Sequence, residues 1–242
     1  MKILALLLTA GLVWTNAPTP TTTTIKEVKG DYAPVAVLEL FTSQGCSSCP
    51  PADALLNKTI KESQNPKIIG LSFHVSYWNY LGWTDPYSSE AHSKRQSWYN
   101  QSFKVGVYTP QVVVNGTNQY VGGDKTASDT NIKTALSRPA TVAIDLSLTD
   151  NKLIYNLMGQ YANTLIHIAV VQNEASNFVK RGENGGRQLT HNNVVLSLDT
   201  RKASATTGEI NLQLPNTASK VIVFAQNAKT GNVVGASQIS IN

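Results

Sequence analysis

Strand formers run from Val35 to Phe41. After a short polar link the chain reads Cys46-Ser47-Ser48-Cys49-Pro50-Pro51, and apolar residues then follow at helical spacing: Ala52, Leu55, Leu56 and Ile60. No other passage constrains the fold as much. A run that is apolar on both faces, broken only by Glu39, predicts a central parallel strand. Two prolines are harmless in the first turn of a helix, where the N–H groups they lack would be unpaired anyway. The strand-to-helix turn thus holds both cysteines of the chain. Any redox chemistry carried by cysteine happens there, and a helix N-terminus favours a thiolate on the first of the pair.

The pattern continues. Asn65-Pro66 ends the helix near Gln64, and Lys67 to Val75 reads as a second buried strand, which completes a right-handed crossover unit. An aromatic stretch, Tyr77-Trp78-Asn79-Tyr80-Leu81-Gly82-Trp83, precedes a polar helical segment from about Ser88 to Phe103. Tyr108-Thr109-Pro110 leads into Gln111–Val114, Asn115-Gly116 signals a hairpin turn, and Ala127 to Ser137 reads as a helix. From Ala140 onward the texture changes to short strand-like runs: Val142–Leu148, Lys152–Leu157, Leu165–Val171, Val194–Leu198, Glu209–Leu214, Val221–Ala225 and Ser237–Ile241. With no helical periodicity among them, they predict an all-β sandwich.

Met1-Lys2, the apolar run Ile3–Trp14 and Thr15-Asn16-Ala17 have the layout of a secretory signal, too short for a comfortable membrane span. No cysteine follows to accept a lipid, and Pro18–Thr24 is a low-complexity spacer. The expected organisation is a signal peptide over 1–17, a spacer over 18–31, an α/β domain with a helical insertion over 32–138 and a β-sandwich domain over 139–242. Charged residues make up 14% and hydrophobic ones 41%, a folded rather than a disordered composition. The net charge of +5 is spread along the chain without a Lys/Arg stripe, which argues against nucleic acid as a partner. Secretion implies a secreted or periplasmic protein with no stable membrane span after cleavage.

In an oxidising compartment a cysteine pair can be a plain staple. A bridge across two residues, however, closes so small a loop that its entropic stabilisation is slight. The turn geometry makes Cys46 the more exposed, attacking thiol, with a lowered pKa, and Cys49 the resolving thiol. Glu39, an acid inside a buried strand, reads as a general base for Cys49, or else as the partner of a nearby lysine or the cap of a backbone group. Asp53, in the first helical turn, suits the helix dipole and would oppose a thiolate. His74 lies at the C-terminal end of a buried strand and is a weak candidate metal ligand beside the cysteines; a structural role is preferred, and no cofactor or metal is expected. Trp78 and Trp83 read as packing or as the walls of a peptide groove. The Arg181–His191 segment reads as a loop held by an internal Arg–Glu pair, the sharper alternative being that it folds onto the dithiol.

Several stretches carry a resemblance. These are Leu40 to Asp53 around the cysteines, Phe73-His74-Val75-Ser76-Tyr77-Trp78, Leu81-Gly82-Trp83, Tyr108-Thr109-Pro110-Gln111, Arg181-Gly182-Glu183-Asn184-Gly185-Gly186-Arg187, then Leu189, His191 and Asn193-Val194-Val195. Together they are similar to an exported thioredoxin-like family catalogued as domain of unknown function number twelve-twenty-three. The resemblance implies a thioredoxin-like α/β domain. It also implies a cis bond before Pro110, with that proline facing the dithiol, and Thr109 offering backbone groups to an extended substrate. The first-strand acid of such folds carries over to Glu39. The Ser47-Ser48 dipeptide leaves the direction of electron flow open. Three functional readings follow: an oxidoreductase acting on protein thiols or disulfides, a binding module with a permanent disulfide, and a copper-handling protein.

Overall fold

The computed structural model describes residues 32–241. The signal peptide and nearly all of the spacer expected from the sequence lie outside the described residues. The chain runs β1 (Ala36–Thr42), α1 (Pro50–Ser63), β2 (Ile68–His74), a 3-10 turn (Asn79–Leu81), α2 (Glu90–Phe103), β3 (Gln111–Val114), β4 (Asn118–Val121) and α3 (Lys125–Leu136). It continues with β5 (Val142–Thr149), β6 (Lys152–Gly159), β7 (Thr164–Phe178), β8 (Gln188–Lys202), β9 (Thr207–Asn211), β10 (Lys220–Asn227) and β11 (Val233–Ser240).

Local rules account for the element ends. Prolines occupy the first turn of α1. Ser89 and Asp124 cap α2 and α3 by accepting the N–H groups of Ala91 and Ala127. Asn115 and Gly116 both take positive φ, as a tight hairpin between β3 and β4 requires.

The expected fold class is overturned. The protein is mostly β. It is neither a thioredoxin-like domain with a helical insertion nor such a domain followed by a separate sandwich. One mixed eight-stranded sheet, ordered β11-β10-β7-β8-β2-β1-β3-β4, takes strands from both halves of the chain, and β5-β6-β9 form a second, three-stranded sheet. The join is the parallel pairing of β2 with β8 at Ser72 and Val194. Two side chains reinforce it: Ser72 Oγ donates to the Asn192 carbonyl (2.9 Å) and Asn193 Nδ2 to the Gly70 carbonyl (2.8 Å).

The physical reason lies in how β7 and β10 are buried. A strand of a free-standing sandwich buries one face. Here both faces are covered. Ala169, Val171, Ile222 and Phe224 join Phe41, Phe73 and Tyr99 in a core under α2, while Ile166, Ile168, Val170, Val221 and Val223 pack against β5, β6 and β9. A third core lies between α1, α3 and the other face of β1 and β3, around Leu38, Leu40, Leu56 and Val112. Among the described residues no helix is long and apolar enough to cross a membrane.

Candidate functional site

The C-terminal end of β1 feeds the turn Ser43–Ser48, which delivers Cys46 and Cys49 to the start of α1, and the two cysteines form a disulfide. Cys49 is the N-cap residue; its carbonyl accepts the N–H groups of Ala52 (2.9 Å) and Asp53 (3.1 Å). Both cysteines are fully buried, at 0% each, so Cys46 is not the more exposed of the two as expected. Only Ser47 and Ser48 of the motif meet solvent.

The cover comes from the turn between β7 and β8. Asn184, itself fully buried, donates from Nδ2 to the carbonyls of Gln44 (3.0 Å) and Cys46 (2.9 Å). Arg187 Nη1 holds it from behind by donating to Asn184 Oδ1 (2.7 Å). Glu183 Oε2 accepts the Ser47 N–H (2.9 Å), and bonds from the Ser47 hydroxyl and N–H hold Glu183 below the usual carboxylate range. The segment is therefore not closed by an internal Arg–Glu pair. Glu183 turns to the cysteine motif, and Arg187 serves Asn184. Gly182 and Gly186 supply the positive φ that folds the turn back.

The opposite wall is built by the aromatic stretch. The Thr109–Pro110 bond is cis. Trp78 Nε1 donates to Thr109 Oγ1 (2.8 Å), and Trp78 also packs so closely on Gly45 that a Cβ there would stand 3.1 Å from its own. Gly122 permits a three-way contact: a side chain in its place would meet Ala52 of α1 and Pro110. Trp83 Nε1 donates to Gln44 Oε1 (3.1 Å). Trp78 and Trp83 thus flank the Gln44-Gly45 turn that leads into Cys46, Thr109 is tied to that wall through Trp78, and Pro110 and Ala52 of α1 both border Gly122. Both indole N–H groups are spent on internal bonds. The large apolar side chains left open to solvent nearby are Tyr80 of the 3-10 turn, 79% exposed, and Phe178 beside the cover, 53% exposed.

Behind Cys49 lies a buried polar cluster. His74 Nδ1 meets Asp85 Oδ2 at 2.7 Å, and the same oxygen accepts the Gln44 N–H (2.8 Å). Burial opposes a charge on His74, but the Asp85 carboxylate outweighs it and, with the more distant Asp53, raises the imidazole above its ordinary pKa. Burial likewise pushes Asp85 up. His74 and the N–H groups of Gln44 and Tyr87 prevail, leaving it below the usual carboxylate range. The His191 ring stands 4.5 Å from that of His74, edge to face. His191 Nδ1 lies 3.1 Å from Asp53 Oδ1 without hydrogen-bond alignment, while the Thr42 hydroxyl donates to Asp53 Oδ2 (3.0 Å). Among the described residues no group of three or more His, Cys, Asp or Glu side chains is set to share a metal ion.

Glu39 is not part of this assembly. Along β1, Leu38 and Leu40 point to α1. Glu39 lies on the other face, with Val37 and Phe41 under α2, where it pairs with Arg95 Nε and Nη2 and accepts the Tyr99 hydroxyl. Burial opposes the charge on Arg95, but Glu39 more than restores it and raises the guanidinium. Glu39 is ion-paired as the second reading has it, but with an arginine of α2 in place of the expected lysine.

Sequence reasoning missed Thr42, Gln44, Asp85 and Asn184. Gln44 and Asn184 sit in turns without periodicity, and Thr42 and Asp85 are single polar residues at a strand end and in a loop. Thr42, Gln44 and Asn184 were signalled only by membership of the stretches around Cys46 and Arg181, and Asp85 by nothing.

The family described as Protein of unknown function (DUF1223) matches residues 37–226. Among solved structures, a protein from Agrobacterium tumefaciens is similar at 30% identity, with 87% of this chain and 96% of that one covered and a TM-score of 0.69. HBP35 of Porphyromonas gingivalis shares the fold at 17% identity, with 88% of this chain and 77% of that one covered and a TM-score of 0.59. No functionally curated protein matches the chain.

Proposed function

Because the chain belongs to the DUF1223 family, whose function is unknown, we propose a function from its own site: thiol–disulfide exchange with protein thiols in an exported compartment, through Cys46 and Cys49. The observation that carries this reading is the disulfide at the start of α1. Its two sulfurs are the only ones in the chain outside methionine, and the helix N-terminus behind them stabilises a thiolate when the bond opens. Half-buried Thr109 offers a backbone edge that an extended partner could use, and exposed Tyr80 and Phe178 supply an apolar rim. Cys46 is the attacking thiol and Cys49 the resolving one. Cys49→Ala is expected to trap mixed disulfides with exported proteins, and Cys46→Ala is not; trapping by the second variant alone would reverse the assignment.

A second reading is favoured by one specific observation, the complete burial of the disulfide under Asn184. On that reading the protein is a binding module and the bridge a permanent staple. The reduction potential decides between them: a reactive couple lies above about −300 mV, a structural one below.

The cover itself makes a prediction. Asn184→Ala removes two hydrogen bonds to backbone carbonyls, each worth about 0.5–1.5 kcal/mol. Reduction of the disulfide by dithiothreitol is expected to accelerate about tenfold, since about 1.4 kcal/mol is tenfold in an equilibrium. An unchanged rate would mean that Asn184 does not control access.

A further inference from the structure

The buried cluster behind the disulfide holds three polar atoms with no hydrogen-bond partner among the described residues: Asp53 Oδ1, His191 Nδ1 and His74 Nε2. Leaving such groups unpaired in a core is costly, and three together ask for an explanation. The hydrogen-bond chemistry fixes much of their state. An indole N–H can only donate, so Gln44 Oε1 is the atom that faces Trp83. The Gln44 amide N–H2 then faces Asn177 Oδ1 and, at 3.2 Å, His191 Nε2. His191 Nε2 is therefore an acceptor, and a neutral ring carries its proton on Nδ1, toward Asp53 Oδ1. Thr42 donates to the other Asp53 oxygen. Asp53 thus has one oxygen bonded by the Thr42 hydroxyl and the other facing the His191 ring but free of a hydrogen bond. It also follows Cys49 by one helical turn, the spacing that puts two side chains on one face with Cβ atoms about 5–6 Å apart.

The geometry points to Asp53 as the group that exchanges a proton with Cys49, with His191 of β8 and Thr42 as positioning residues. This rests on the oxidoreductase reading and deepens it. In the reduced protein the Cys46 thiolate attacks a disulfide of the partner, forming a mixed disulfide and releasing one partner thiolate. The Cys49 thiol then gives its proton to the Asp53 carboxylate, directly or through one water. The electron pair left on Cys49 Sγ attacks Cys46 Sγ, the bond between Cys46 and the partner breaks, and the second partner sulfur leaves as a thiolate. The partner disulfide has been reduced by two electrons and the Cys46–Cys49 pair oxidised. In the opposite direction Asp53 returns the proton to the departing Cys49 thiolate. The other titratable groups around Asp53 are His191, His74, Asp85 and Tyr87. The acid on the α2 face of β1, Glu39, takes no part.

The test is rapid mixing of the reduced full-length protein with oxidised glutathione between pH 5 and 9, which resolves attack by Cys46 from resolution by Cys49. Asp53→Asn is expected to slow the second phase about a hundredfold at neutral pH, within the range of general-base effects. Its inflection should move toward the free-thiol value near about 8.5, with the first phase unchanged. A purely structural role for Asp53 does not shift that inflection, so an unmoved profile overturns the assignment. If Asp53→Asn does not fold, Thr42→Val takes its place. With the carboxylate kept but one donor lost, the inflection of the second phase rises if Asp53 is the acceptor and stays put if it is not. A wild-type protein that reacts in neither phase fails differently: it removes the oxidoreductase reading, and this inference with it.

Discussion

Arg95→Met is expected to cost about 3–5 kcal/mol of stability, the usual loss when one member of a buried ion pair is left alone. Glu39, 1% exposed, would keep its charge demand with only Tyr99 to meet it. For a chain of this size about 2–4 °C is lost per kcal/mol, so the melting temperature should fall by about 10 °C. Glu39→Gln should be destabilising too, because it strands the Arg95 guanidinium. On the sequence alone a lone buried acid would be a liability whose removal stabilises; the arginine beside it reverses the sign. The double variant Glu39→Gln/Arg95→Met should be less damaging than the sum of the singles, since both charges leave together. Urea denaturation of the three variants checks this, and a loss under about 1 kcal/mol for Arg95→Met would show that the pair contributes no more than a surface one.

The second large effect is acid sensitivity. Burial pulls His92 down to about 4, with nearby His74 and Arg95 adding to the shift, and pulls His167 down to about 3, with Arg95 again contributing. Both rings are therefore neutral in the folded protein where an unfolded chain, with ordinary values near about 6.5, takes up protons. Stability is complete above about pH 6.5 and is lost as the pH falls toward the folded values, at up to about 1.4 kcal/mol per pH unit for each ring. His74, raised by Asp85, runs the other way: its contribution is complete below the ordinary histidine value and is lost as the pH rises through its folded value. Asp85, held low, contributes above the ordinary aspartate value and loses that as the pH falls through its own folded value. Two histidines against one leave the acid side steeper. The urea midpoint should fall between pH 6.5 and 4, and His167→Gln should flatten that slope by up to about 1.4 kcal/mol per unit. An equal slope in the variant would mean that His167 is not buried neutral.

The parts of the fold written in local pattern were readable. The strand into Cys46, the Pro50-Pro51 helix start and the Asn115-Gly116 turn each follow from the chemistry of a few adjacent residues. The long strands were not. Ile168–Val171 and Val221–Ala225 are apolar at consecutive positions, the mark of a strand covered on both faces, yet their regular spacing reads equally as a sandwich. What settles it is the pairing of Ser72 with Val194, which no local pattern announces. The site divides in the same way. The cysteines and Thr109-Pro110 stand out in sequence. The face taken by Glu39 did not, because both alternations of β1 are apolar and alternation alone cannot choose between them. Arg95 had no visible reason to meet Glu39, nor Asp53 to meet His191, until α2 and β8 were placed.

The origin of Asn184 and His191 has a consequence for the order of events in the life of the chain. Asn184 reaches Cys46, and His191 reaches Asp53 and Gln44 beside it, from the far side of the β2–β8 join, well over a hundred residues downstream. A polypeptide made or threaded from its N-terminus shows Cys46 and Cys49 to its surroundings before the residues that shelter them exist. Contacts so distant along the chain also form slowly, because a long loop must close first. The cysteines therefore pass through a naked interval in every molecule's assembly. Whatever oxidant or foreign thiol is present in that interval meets them without the cover that the finished fold places over them.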